Sequence, residues 1–158
     1  FVGKIGWKTE KLIERIKQHP QLNKRLFMFN DLSDRELEYC YSHSRALVFP
    51  SYVEGFGLPL VEAMQRGLPA MASDIPVFRE IGGDSMAYFG LSEPESLCRL
   101  VRRFEGSGQF PAPISLDNWS WLSWSDSAMQ LIGRVQGQTK RQQAARASIK
   151  SNADYGRP

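Results

Sequence analysis

Ala46-Leu-Val-Phe49 is an apolar run without polar interruption that stops at Pro50, and the chain then enters a loop holding Gly55 and Gly57 before a helical pattern opens at Pro59. An unbroken apolar run suits a strand covered on both faces, as in a parallel sheet, whereas a strand with one wet face alternates. Parallel neighbours are joined by crossovers, most often helices, so this segment demands helices and strands in turn along the chain. The sequence supplies them. Lys8 to His19 sets Leu12, Ile13 and Ile16 on one face and stops at Pro20, as an amphipathic helix does. Leu26-Phe-Met-Phe29 reads as a strand, Asn30-Asp31 as a turn, and Ser33 with Glu36 as a capping box opening a helix through Leu37 and Tyr41.

Beyond the loop, a helix is expected from Pro59 to about Arg66, closed by Gly67 and followed by Pro69, with proline at the start and glycine past the end. Pro69-Ala-Met-Ala72 and Met86-Ala-Tyr-Phe89 read as two further strands, and Ser92 with Glu95 as the cap of a helix carrying Leu97, Leu100, Val101 and Phe104. Gly106 to Pro113 has linker composition, and Trp119 to Val135 reads as a last helix anchored by aromatics. The expected class is α/β: a Rossmann-like parallel sheet with helices on both faces, plus a C-terminal helix. Residues 1–133 form the expected domain and residues 134–158 a basic tail.

Composition narrows the function classes. The 158 residues are 42% apolar and 23% charged, which excludes collagen, coiled coil and wholesale disorder, and no stretch nears the roughly 18 apolar residues of a membrane span. Cys40 and Cys98 are too few for a disulfide framework or a zinc site, so reduced thiols and a cytoplasmic location are expected. Phe1-Val2-Gly3 reads as the inside of a buried strand, and the chain is expected to be a piece of a longer protein. The net charge of +3 divides unevenly: residues 134–158 carry six basic side chains against Asp154, leaving the first 133 residues at −2. Without a run of interleaved aromatics the tail does not read as a nucleic-acid arm.

The segment from Pro50 to Met64 carries the chemistry. A buried strand ends, a glycine loop follows and a helix begins, and in an open parallel sheet that edge is where ligands bind. Gly55 and Gly57 admit close backbone approach, and the N–H groups at the start of the Pro59 helix suit a phosphate or diphosphate. The loop lacks the third glycine of a dinucleotide fingerprint and the Gly-Lys-Ser/Thr of a P-loop. Glu54 and Glu62, with seven residues between them, bracket the loop. An ionised carboxylate accepts two hydrogen bonds from the vicinal diol of a ribose or hexose. Acidic residues in the first turns of a helix are also stabilising through the dipole alone, so both readings stand at this point.

Pro50-Ser-Tyr-Val-Glu-Gly-Phe-Gly-Leu-Pro-Leu-Val-Glu-Ala-Met64, followed by Gly67-Leu-Pro-Ala70 and Ser73-Asp-Ile-Pro76, resembles the donor-binding signature of retaining glycosyltransferases of family 4 (group 1), which have the GT-B fold. Val2 to Trp7, Asn30 to Leu37, Glu80 to Asp84 and the run from Trp124 are similar to outer landmarks of that family's C-terminal lobe and occur in the same order, so the resemblance covers about residues 1–133. It implies that Glu62 matches the second glutamate of the family's E-x7-E motif, which holds the nucleotide ribose. Glu54 matches the first, beside the transferred sugar, and is the catalytic candidate. Gly55, Phe56, Gly57 and Leu58 match the backbone that meets sugar and diphosphate, and Leu32 is the candidate for packing on the base. Asn30 stands where the family has glycine, a replacement that a left-handed asparagine would accommodate.

The resemblance further implies an Arg and a Lys for the diphosphate in a loop preceding this chain, and an N-terminal acceptor domain with a catalytic histidine. Lys4 and Lys8 lie in a different loop, and neither His19 nor His43 matches that histidine. The expected function is the donor-binding lobe of a hexosyltransferase acting on GDP-mannose or a UDP-hexose, with no cofactor and no essential metal, in bacterial surface polysaccharide synthesis. The expected partners are a nucleotide sugar and the acceptor-binding domain of the same protein, with no nucleic acid. A cytoplasmic enzyme with peripheral association at the inner face of the membrane is the expected setting. A nucleotide-sugar-binding module without transferase activity, and a GT-B epimerase, are the alternatives.

Overall fold

A computed structural model of the chain describes residues 1–137, in two units, Phe1–Trp119 and the segment from Ser120 onward. In the first unit α1 (Glu10–Lys17) and α2 (Asp34–His43) precede β1 (Leu47–Phe49), α3 (Leu58–Gln65), β2 (Ala70–Ser73), α4 (Pro76–Gly82), β3 (Ala87–Phe89) and α5 (Pro94–Ser107). The strands form one parallel sheet in the order β1-β2-β3, with Leu47 opposite Ala70 and Met71 opposite Ala87.

The side-chain period of two divides β2 and β3 between two helical layers. Ala70, Ala72 and Met86 pack with Leu60 and Met64 of α3 and Phe78 of α4, whereas Met71, Ala87 and Phe89 pack with Leu97, Leu100, Val101 and Phe104 of α5. Helices thus cover both faces, and all four residues of β2 are buried. A smaller cluster of Tyr41, Ala63 and Leu68, with Leu37 and Leu47 against it, seats α2 on α3.

Several local expectations change. The unbroken run at residues 46–49 is expected to be covered on both faces, but β2 is the central strand and Val48 of β1 keeps 40% of its surface exposed. The cause lies in Leu26–Phe29, which forms no ladder with β1. Around Asn23, left-handed at φ 60°, a tight turn commits backbone groups within residues 21–26, and the segment makes only single bridges, Leu22 to Leu26 and Val2 to Phe29. Phe1 and Val2 are exposed rather than buried. Helix α1 is shorter than expected because Lys8 is left-handed and Thr9 is the N-cap.

The capping box of Ser33 and Glu36 forms: the Glu36 amide donates to Ser33 Oγ, and the Ser33 amide to Glu36 Oε2 at 2.8 Å. The box expected at Ser92 and Glu95 does not form. Pro94, with φ already suited to the first helical position, moves the N-cap to Glu93, and Ser96 Oγ closes the turn by donating to the Glu93 carbonyl at 2.6 Å. In the second unit the last helix, α6, spans 124–137 as far as it is described and begins later than Trp119. A 3-10 turn at Leu116–Asn118 precedes it, and Ser123 caps it, its Oγ accepting the Asp126 amide at 3.1 Å. The basic tail from residue 138 onward lies outside the described residues.

Tyr88 ties β3 to α4: its hydroxyl reaches the Phe78 carbonyl at 3.0 Å and the Gly83 carbonyl at 2.8 Å. Burial pushes the hydroxyl up from 10.0 to about 12, against the Arg79 guanidinium that lies 3.8 Å from the ring centroid. A folded pKa above the unfolded one gives stability that is complete below pH 10 and is lost as pH rises toward 12. The urea midpoint should therefore fall between pH 10 and 12, and Tyr88→Phe should make that fall shallower while lowering the midpoint at pH 8.

Candidate functional site

The site is built where β1 ends. Ser73, the last residue of β2 and fully buried, donates its hydroxyl to the Ser51 carbonyl at 2.6 Å. Ser51 Oγ in turn donates to Glu54 Oε1 at 2.8 Å. A buried polar side chain is kept only where it is hydrogen-bonded; here the bond fixes the loop to the sheet, and the loop fixes a half-buried carboxylate at the C-terminal end of the strands.

Gly57 turns the loop into α3. Its φ of 93° is left-handed, and a Cβ at that position would lie 2.8 Å from Phe78 Cε1, so both backbone and space require glycine. Gly55 has neither constraint, since nothing stands within 4 Å of a Cβ there. Among the described residues the amides of Gly55, Phe56, Gly57 and Leu58 have no protein acceptor. The helix terminus offers fewer donors than its position suggests, because Pro59 lacks an N–H and the Leu60 amide is spent on the Gly57 carbonyl at 3.0 Å. What remains is a short arc of loop amides with the positive end of the α3 dipole behind it.

Glu62 lies in the second turn of α3, half-buried. Tyr41 of α2 donates its hydroxyl to Glu62 Oε2 at 3.0 Å. Burial first, then this hydrogen bond, pushes the Tyr41 hydroxyl up to about 12, so it stays a donor across the neutral range. Arg66, one turn further on, lies 5.0 Å from the Tyr41 ring centroid, donates to the Glu62 carbonyl at 2.8 Å and pairs with Glu38 Oε2 at 2.7 Å. Its charge is thus turned toward α2 while the Glu62 carboxylate is held by a neutral donor.

Six of the seven sequence-derived positions, Glu54, Gly55, Phe56, Gly57, Leu58 and Glu62, come together on one loop and the helix it opens. The seventh, Leu32, sits half-buried just before the Ser33 N-cap and outside the apolar clusters. Asn30 does not take the left-handed conformation; among the described residues the left-handed non-glycine residues are Lys8 and Asn23. His43 stacks on Tyr39 with ring centroids 3.8 Å apart, and His19 lies past the end of α1. Sequence reasoning missed Ser51, Ser73 and the hydroxyl of Tyr41. The i, i+4 spacing of Leu37 and Tyr41 was the available signal, since a tyrosine on a buried stripe needs a partner for its hydroxyl.

A hollow of about 480 Å³, lined by Phe1, Leu12, Ile16 and Leu26 among others, lies away from both glutamates. It is broadly open and apolar, and we assign no chemistry to it. Among the described residues no three His, Cys, Asp or Glu side chains gather as metal ligands, and no helix is long and apolar enough to cross a membrane.

Loop amides without a protein acceptor among the described residues and two half-buried carboxylates thus lie together on the C-terminal edge of the parallel sheet. The chain belongs to the glycosyl transferases group 1 family, whose pattern matches residues 1–108. It is 43% identical over 132 residues to the serotype-specific mannosyltransferase WbdA of Escherichia coli, a match covering 84% of this chain and 16% of that protein. It is 32% identical over 121 residues to the O-antigen chain mannosyltransferase RfbU of Salmonella typhimurium, covering 76% of this chain and 33% of that protein. A shorter match, 36% over 75 residues, is to the MMP alpha-(1->4)-mannosyltransferase of Mycolicibacterium hassiacum. The chain therefore spans between 16% and 33% of the length of the first two relatives.

Gly57→Ala should cost about 2 kcal/mol or more in urea unfolding, from the left-handed backbone and the clash with Phe78 together. Gly55→Ala, with open space around it, should stay within about 0.5 kcal/mol.

Proposed function

We propose that this chain is the donor-binding lobe of a retaining glycosyltransferase that moves a hexose from a nucleoside diphosphate sugar, mannose from GDP-mannose foremost and the hexose of a UDP-hexose second, to an acceptor hydroxyl in bacterial surface polysaccharide synthesis. The observation that carries the reading is the placing of Glu54 and Glu62 on either side of a glycine loop whose amides have no protein acceptor among the described residues, in a chain of the group 1 family. The names of the relatives, mannosyltransferases of O-antigen chains among them, support the sugar and the pathway class. Their greater length supports an acceptor domain elsewhere in the whole protein.

In this reading each group has a separate task. Glu62 accepts hydrogen bonds from the ribose diol. The amides of residues 55–58 and the α3 dipole meet the diphosphate, where negative charge grows as the glycosidic bond breaks, and preorganised donors aimed at developing charge are an effective way to lower such a barrier. Glu54, held by Ser51, accepts from the sugar hydroxyls and orients the anomeric carbon. The base packs near Leu32. No cofactor or metal is required of this lobe, and the whole enzyme works at the cytoplasmic face of the membrane.

Titration calorimetry of the chain with GDP and UDP tests this directly. One nucleotide should bind saturably, and Glu62→Ala should weaken it at least tenfold, or about 1.4 kcal/mol. An unchanged affinity in that variant would remove Glu62 from the ribose, and no binding of either nucleotide at millimolar concentration would overturn the donor-site reading for this chain.

A further inference from the structure

We propose that Tyr41 is a positioning residue for the donor site: its hydroxyl holds one oxygen of the Glu62 carboxylate so that the other is presented to the ligand's diol. The inference rests on the reading of Glu62 as the ribose acceptor and adds to it a residue from a different helix. Tyr41 is 8% exposed, buried with Ala63 and Leu68 where α2 packs on α3, and its hydroxyl lies 3.0 Å from Glu62 Oε2. Glu62 Oε1 has no hydrogen-bond partner among the described residues.

The alternatives for orienting that carboxylate are spent elsewhere. Arg66, the C-cap of α3, is a cation close by, but its Nε pairs with Glu38 and its Nη1 bonds the Glu62 main-chain carbonyl. It meets Tyr41 through the ring face, 5.0 Å from the centroid. A glutamate has three side-chain torsions, and an exposed one would lose their freedom on binding a ligand. A carboxylate already held at one oxygen has lost much of that freedom in the folded protein, so its second oxygen meets the diol at lower entropic cost. A neutral donor also leaves the carboxylate its full charge, and charge-assisted acceptors make the stronger hydrogen bonds to hydroxyls. Serine or threonine at residue 41 could not span the gap from the α2 backbone, and phenylalanine would fill the same core volume without the bond.

The test is a ligand and variant cycle. Calorimetry is run on the full chain with whichever of GDP and UDP binds, and with the 2′,3′-dideoxy form of the same nucleotide, for wild type, Tyr41→Phe, Glu62→Ala and the double variant. Tyr41→Phe should weaken the ribonucleotide by about fivefold, less than the direct loss of a hydrogen bond to a charged group would cost because the effect is transmitted through Glu62, and should leave the dideoxynucleotide unchanged. In the Glu62→Ala background the same substitution should have no further effect, because coupled residues are non-additive. Equal weakening of both ligands would mean that Tyr41 matters only for packing, and the proposal would fall. It would fall equally if Tyr41→Phe left the ribonucleotide unchanged or tightened it, while Glu62→Ala weakened it; the donor-site reading would then stand alone. A wild-type chain that binds neither nucleotide would overturn the reading and the proposal together. A circular dichroism melt of Tyr41→Phe, showing a folded variant at the titration temperature, assigns any loss to the site.

Discussion

The contact between Gly57 and the ring of Phe78 joins the core of this domain to its functional edge. Phe78 is fully buried between α4 and the sheet, and its Cε1 occupies the volume that any side chain at residue 57 would need. That closeness lets the chain leave β1, cross the edge of the sheet and re-enter as α3 with Leu60 and Met64 already in the core. The direction of α3, and with it the aim of its dipole and the placing of Glu62, follows from how near the backbone at residue 57 can come to a neighbouring helix. A methyl group there would push α3 away from α4, and the amides of the loop would move with it.

Hydroxyl groups, rather than ion pairs, hold the two carboxylates of the site. Ser73 reaches the Ser51 carbonyl, Ser51 reaches Glu54, and Tyr41 reaches Glu62. The ion pairs among the described residues, Arg66 with Glu38, Arg79 with Asp74 and Arg99 with Glu93, have side chains between about a third and two-thirds exposed, where such pairs contribute little. The hydrogen bond to Arg79 still holds the Asp74 carboxyl below its ordinary value. The distinction matters chemically. A glutamate paired with arginine would be neutralised before a ligand arrived, whereas one held by a hydroxyl keeps its charge and its acceptor strength.

What was legible in the sequence was periodic or punctuated. The strands at residues 70–73 and 87–89 are short apolar runs, α3 is bounded by proline and Gly67, and the Ser33 box is a local pattern that forms without long-range help. The glutamates and the glycine loop could be singled out because the chemistry of a strand-loop-helix edge is itself local. Three misreadings share another origin. Whether Leu26–Phe29 joins the sheet depends on the turn at Asn23, on which apolarity says nothing. The start of α5 was decided by Pro94 over Ser92, and the start of α6 by the Ser123 cap. The hydroxyl network was hidden for a related reason: Tyr41 and Glu62 are 21 residues apart, and only the packing of α2 on α3 brings them within a hydrogen bond.

Electrostatics sets the last constraint on the edge. Residues 46–65 contain Glu54 and Glu62 and no lysine or arginine, and Arg66, which follows directly, turns its guanidinium to Glu38. The α3 dipole contributes about half a positive charge at its start, and a few amides add partial charges. Against them stand two carboxylates within the same short segment. A diphosphate brought to this loop would feel repulsion comparable to the attraction, so the amides govern its orientation more than its affinity. Full neutralisation has to come from cations outside the segment. Hydrogen-bond direction, fixed by Gly57, Ser51 and Tyr41, is what this edge supplies by itself.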